Sequence, residues 1–166
     1  MIRPATPSDI PRVKELFAEM HAASKFADRV PISERALHDL LLMALGNRNR
    51  PIAGGTHFSV STKKDRVEGF MIGLLDRVYH IGTKLVAQDM FLHVTKHGFK
   101  TDVSRLIDDY LNWADSNPNV IDINLSWTDA LPGAERISNL YRRKGFMRIG
   151  GIYQRDPVRP EMEIAA

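Results

Sequence analysis

The groups in this chain that could move a proton or hold a charge fall in three places. Tyr141 stands in Leu140-Tyr141-Arg142-Arg143-Lys144-Gly145-Phe146, which reads as the last turn of an amphipathic helix. The three cations complement the negative helix end, and Gly145 supplies a left-handed cap. A phenol one turn before that stop can act as a proton donor. Asp89 and His93 lie on one mostly apolar segment, and either can accept a proton. Thr101 opens a helical pattern whose free backbone N–H groups favour an anion, with Lys96, Lys100 and Arg105 beside it. Each group also has a plain reading. Tyr141 fits a core aromatic spaced with Ile137 and Leu140, Thr101 an N-cap, and the lysines solvated side chains.

Other chemistries lack their residues. The 166 residues include no cysteine, which excludes disulfides, thiolate nucleophiles and Cys-ligated zinc. His93 and His97 have HxxxH spacing, but they fall at a strand end and a loop, and no Glu follows His93, so no metal site is expected. No GxSxG motif or P-loop is present. The net charge is +3 and the isoelectric point about 9.3. Lys and Arg are scattered apart from Lys63-Lys64-Asp65-Arg66 and Arg142-Arg143-Lys144, a pattern that fits a small polyanion at least as well as nucleic acid. No apolar run approaches the roughly 18 residues of a membrane span, and Met1-Ile2-Arg3-Pro4 has no signal-peptide core. A cytoplasmic protein without membrane contact is expected.

The elements that must position these groups are readable in outline. Ile2 to Ala5 is a short strand. Thr6-Pro7-Ser8-Asp9 starts a helix, with Thr6 as N-cap and Asp9 in the place of a capping-box Glu; Ile10, Val13, Phe17 and Met20 mark its face. A second helix starts at Ser33 and ends at Gly46-Asn47. Between them, Ala22 to Pro31 is a loop, where Lys25 and Phe26 could meet a ligand. Strands are predicted over His57 to Thr62, Val67 to Val78 and Lys84 to Val94, joined by hairpins at Lys63-Lys64-Asp65 and Ile81-Gly82-Thr83. Val103, Leu106, Ile107, Tyr110, Leu111 and Ala114 make the clearest helix, stopped by Asn117-Pro118. Val120 to Trp127 alternates as a strand, a fourth helix spans Ala134 to Lys144, and Phe146 to Ile149 pairs with Ile152 to Gln154 across Gly150-Gly151. The strand-helix-strand unit from Lys84 to Trp127 implies a right-handed parallel crossover.

The order, β-α-α-β-β-β-α-β-α-β-β, resembles the GCN5-related N-acetyltransferase (GNAT) superfamily over nearly the whole chain. The likeness rests on Ile2-Arg3-Pro4-Ala5-Thr6 with Asp9-Ile10, on Glu68-Gly69-Phe70-Met71-Ile72-Gly73, on Phe91-Leu92-His93-Val94 before a turn and long helix, on Val120 to Ser126, and on Leu140-Tyr141 through Gly145-Phe146. It implies an α/β (α+β) fold: one GNAT-like domain over residues 1–156, a mixed sheet of about seven strands with helices on both faces, and a tail over 157–166. It implies acetyl-CoA as co-substrate in a splay between the strand ending at Val94 and the one starting at Val120. Leu92, His93, Val94, Lys100, Thr101, Asp102, Val103, Ser104, Arg105 and Tyr141 would contact it. Tyr141 would protonate the departing thiolate. The base that frees the amine would be Asp89, His93 or a water held by carbonyls, since Gln88, which stands where some relatives carry a Glu, cannot serve. Phe26, Gln88, Ser126 and Trp127 would face the acceptor, a small-molecule or peptide amine. A homodimer is compatible with the resemblance. The family's Gly-rich pyrophosphate loop is reduced here to Gly98 within Lys96 to Ser104, and Ala134 stands where its usual Asn falls. A GNAT-fold binding or regulatory module without catalysis is therefore the alternative.

Overall fold

A computed structural model describes residues 1–131 and 135–154. A single sheet runs in the order β1 (Ile2–Pro4), β2 (Thr56–Lys63), β3 (Arg66–Arg77), β4 (Leu85–Val94) and β5 (Val120–Asn124). The first three pairings are antiparallel and the last is parallel. Four helices cover it: α1 (Ile10–Ala22), α2 (Glu34–Gly46), α3 (Asp102–Asp115) and α4 (Arg136–Arg143). The parallel pair is joined through α3, so a parallel crossover is present.

Local sequence sets these boundaries. The Thr6 N–H and hydroxyl both donate to Asp9 Oδ2 at 2.8 Å, and Arg3 clamps the same carboxylate bidentately at 2.7 and 2.8 Å. Those bonds, the Arg3 pair foremost, hold the Asp9 carboxyl below the usual carboxylate range. A 3-10 turn over Pro7–Asp9 precedes α1. Ser33 Oγ accepts from Ala36 N–H and starts α2. The β2–β3 hairpin turns at Lys64 and Asp65, both left-handed with φ of 51° and 60°, the twist a two-residue turn requires. Gly145, with φ of 89°, ends α4, and Phe146 N–H reaches back to the Tyr141 carbonyl at 3.1 Å.

Strand alternation sends apolar side chains to two cores. Phe58, Val60, Phe70 and Ile72 pack under α1 and α2 with Val13, Leu16, Phe17 and Leu41. Met71, Leu75 and Ala87 pack under α3 and α4 with Leu106, Ile107, Tyr110 and Tyr141. Helices on both faces are thus as expected.

Three expectations are corrected. The sheet has five strands among the described residues, where about seven were expected. Residues 147–154 hold no regular structure, and Gly150-Gly151 makes no hairpin. Met147, Ile149, Ile152 and Tyr153 stay exposed, and alternation produces a strand only where a neighbour buries one side of it. Helix α4 starts at Arg136, two residues after the expected Ala134. Ala134 itself and the tail 157–166 lie outside the described residues. No described helix is long and apolar enough to cross a membrane.

Candidate active site

The site is made where β4 and β5 part. Their pairing runs from Leu85↔Val120 to Gln88↔Asn124 and stops. On its other side β4 stays paired with β3 as far as Val94. The cause is a bulge. The β3–β4 register passes from Gly73↔Asp89 to Ile72↔Phe91, which leaves Met90 as an extra residue. Met90 and Phe91 consequently both pack on the α1–α2 core, and β4 bends there. Among the described residues, no strand pairs with the β5-facing edge of residues 89–94, so its backbone groups are open to a ligand.

The bulge also sorts the side chains. Ala87, Asp89, Leu92 and Val94 face α3 and α4, while His93 pairs with Phe70 on the α1–α2 side, the rings 6.2 Å apart. Asp89 and His93, both expected as catalytic, therefore stand on opposite faces. Gln88 shares the His93 side by alternation.

On the α3–α4 side, Tyr141 O–H donates to the Ser126 carbonyl at 3.0 Å. The Ser126 N–H and hydroxyl both donate to Asp89 Oδ1, at 2.8 and 3.0 Å. Tyr110 O–H reaches the Asn124 carbonyl at 3.3 Å, and its ring lies over Gly73, where a Cβ would stand 2.5 Å from Tyr110 Cε2. Burial raises the Asp89 carboxyl, against the opposing bonds from Ser126. Burial and then the Asp89 charge raise the Tyr141 phenol, which keeps its proton at neutral pH. On the other side, burial lowers the His93 imidazole, with Glu19 opposing, and its Nε2 is enclosed with no partner.

Beyond Val94 the chain turns through Thr95 to Thr101 into α3. Thr101 makes no side-chain cap, contrary to expectation. The Asp102 carboxylate turns inward, is fully buried, and accepts from Phe99 N–H, ahead of the helix, at 3.1 Å. Asp102 thus faces the loop interior and not an external anion. Among the described residues no hydrogen bond occupies the N–H groups of Lys100, Thr101, Val103 and Ser104. Lys96, Lys100 and Arg105 are exposed around it. Lys63, which sequence reasoning did not select, joins them: its Nζ bonds the His97 carbonyl at 2.8 Å and lies 4.8 Å from the Phe99 ring centre. The antiparallel β2–β3 register signals this, because it carries the hairpin tip past the end of β4.

The residues expected to face an acceptor are only partly brought together. The α1–α2 loop docks on the segment after β5, where Lys25 N–H bonds the Ala130 carbonyl at 3.0 Å and Lys25 Nζ bonds Asp129 at 2.7 Å. That brings Phe26, half-buried under Lys25 Nζ, to the end of the sheet where Ser126 and Trp127 lie. Trp127 is 41% exposed. Among the described residues no cluster of three metal-ligating side chains occurs.

No family model matches the chain, and no curated protein does. Solved structures do. An acetyltransferase from Trypanosoma brucei superposes with a TM-score of 0.66 over 95% of this chain and 99% of its own, at 16% identity. The ribosomal-protein-alanine N-acetyltransferase of Brucella melitensis biovar Abortus 2308 gives 0.61 over 96% and 99%, at 18% identity. AAC(6')-Iy, solved with the bisubstrate analogue CoA-S-monomethyl-acetylneamine, gives 0.68 over 95% and 98%, at 12% identity. The chain has the fold of these acetyltransferases. In this chain β4 and β5 part after Gln88↔Asn124, Tyr141 stands on α4, and the loop after β4 has Gly98 as its one glycine between Lys96 and Ser104.

Proposed function

We propose that this protein is an N-acetyltransferase that passes an acetyl group from acetyl-CoA to a primary amine by direct attack in a ternary complex. The observation that carries the reading is the opening between β4 and β5, with the Tyr141 phenol at its apex. A thioester arm lying along the unpaired edge of residues 89–94 would find backbone hydrogen bonds for its amides. The diphosphate would meet the free N–H groups of Lys100, Thr101, Val103 and Ser104, with Lys63, Lys96 and Lys100 supplying charge. The N–C bond forms as the neutral amine attacks the acetyl carbon, the C–S bond breaks, the sulfur takes the Tyr141 proton, and the surplus proton on the new amide nitrogen passes through solvent to restore the phenol.

The amine must lose its own proton before attack. His93, neutral because of its burial, is the base the geometry favours, because it lies across β4 from the acid. The two proton transfers occur at different ends of the reacting group, and the two faces of the strand separate them. Gln88, Phe26 and Trp127 border that acceptor side. The acceptor is a small-molecule or peptide amine.

The test is calorimetric titration with acetyl-CoA, followed by thiol release with a panel of amines. Micromolar binding and amine-dependent thiol release are expected. Absence of binding at millimolar acetyl-CoA overturns the reading.

A further inference from the structure

We propose that Asp89 is a positioning residue: through Ser126 it aims the Tyr141 phenol at the gap between β4 and β5. The proposal rests on the transferase reading above and assigns Asp89 a role other than that of base. Asp89 is the first β4 residue beyond the last β4–β5 pair, Gln88↔Asn124. Ser126 stands two residues beyond Asn124. Where the backbone ladder ends, one carboxylate oxygen replaces it by accepting both the N–H and the hydroxyl of Ser126, at 2.8 and 3.0 Å. That pair of bonds anchors Ser126 at its N–H and its side chain, next to the peptide that carries its carbonyl. The carbonyl in turn accepts from Tyr141 O–H at 3.0 Å. Ser126 is exposed, with little packing to hold it otherwise. The network thus ties three elements, β4, the segment after β5, and α4, at the apex of the opening.

The same geometry argues against Asp89 as the base. It faces α3 and α4, on the side of the proton donor, where burial and the neighbouring Tyr110 and Tyr141 surround it. Positioning needs an oxygen that accepts two bonds, and a neutral amide has one. A base needs a carboxylate. Asparagine therefore separates the roles.

The experiment compares wild type with Asp89→Asn, Asp89→Ala and Ser126→Ala, measuring kcat, KM for acetyl-CoA, the pH profile, and acetyl-CoA affinity by calorimetry. Asp89→Ala should lower kcat about 100-fold with affinity changed less than about 3-fold, a loss in the range of a misplaced catalytic group. Asp89→Asn should restore kcat to within about 5-fold of wild type and leave the acid limb of the profile in place. Ser126→Ala, which keeps the N–H bond, should fall between them. Equal loss in Asp89→Asn and Asp89→Ala, with the acid limb abolished in both, overturns the proposal and makes Asp89 the base. Should Asp89→Ala not fold, the acid limb of Asp89→Asn alone decides. Failure of wild type to bind acetyl-CoA or release thiol removes the transferase reading itself, an outcome distinct from either.

Discussion

Two polar trios flank Tyr110 on the α3 side of the sheet, and only one lies at an opening. On the β5 side, Asp89 holds Ser126, which holds Tyr141. On the β2 side, His57 Nε2 lies 3.0 Å from Ser59 Oγ and 3.3 Å from Asp109 Oδ2, beside a cleft of about 480 Å³ bordered by Arg48, Arg50 and Trp113. The second trio has the residue types of a hydrolytic triad and a cavity beside it. Its geometry does not support that chemistry. A relay needs the carboxylate on one imidazole nitrogen and the hydroxyl on the other, whereas here both meet the same nitrogen. Ser59 is buried within β2, paired on both sides with β1 and β3. The lesson is that a cavity and the right side chains are not sufficient. In the proposed reaction the chemistry falls where backbone pairing ends.

The largest expected effect sharpens that contrast. Tyr141→Phe should lower kcat by about 10² to 10⁴, the range for losing a general acid, with acetyl-CoA affinity nearly unchanged. His57→Gln in the other trio should leave turnover close to wild type. Steady-state kinetics on the two variants decide it, and equal turnover in Tyr141→Phe and wild type removes the phenol from the mechanism.

Gly73→Ala probes the element common to both trios. The added methyl would stand 2.5 Å from Tyr110 Cε2 and 2.8 Å from Cδ2, so the ring must shift. Tyr110 spans the sheet between His57, with ring centres 5.9 Å apart, and the Asn124 carbonyl. An overpacked core costs about 1 to 3 kcal/mol. Denaturant unfolding should show that loss, together with a drop in activity as β5 is displaced. A variant as stable as wild type would mean that Tyr110 has room the structure does not show.

Much of the fold is legible in local sequence because the signals act over a few residues. The Thr6 to Asp9 box, the Ser33 cap, the Gly145 stop and the α3 periodicity each specify their element without help from elsewhere. The order of elements and the parallel crossover follow from these. What escapes is set across the sheet. Nothing in Asp89-Met90-Phe91 announces a bulge, since no Gly or Pro stands there, yet the bulge parts β4 from β5 and sends Asp89 and His93 to opposite faces. Asp89 and Ser126 are 37 residues apart and meet only because two strands run parallel. Asp102 reads as an exposed acid in an anion loop, and its inward turn follows from the Phe99 N–H it satisfies. The last hairpin fails for the converse reason: its alternation is clear, but no neighbour buries Met147, Ile149 or Ile152.

The smallest predicted effect compares the two carboxylates directly. Asp109 is held below the usual carboxylate range, chiefly by its hydrogen bond to His57, whereas Asp89 is raised by burial. The signs of their linkage to folding are therefore opposite. For Asp109 the folded pKa lies below the unfolded one. Its stabilisation is present above the unfolded value near pH 3.9 and is lost as pH falls through the folded value. Asp109→Asn should lower stability at pH 7 by on the order of 0.5 kcal/mol, a figure discounted for solvent screening of this partly exposed group, and the difference should vanish in acid. For Asp89 the folded state binds its proton more tightly than the unfolded chain does. Wild type loses stability relative to Asp89→Asn as pH rises from about 3.9 through the higher folded value, and the deficit persists above it. Thermal melts of both variants between pH 3 and pH 8 should thus give difference curves of opposite slope. Parallel curves would mean that Asp89 is as well solvated or as well paired as Asp109, and that the site does not hold a carboxylate at the expense of stability.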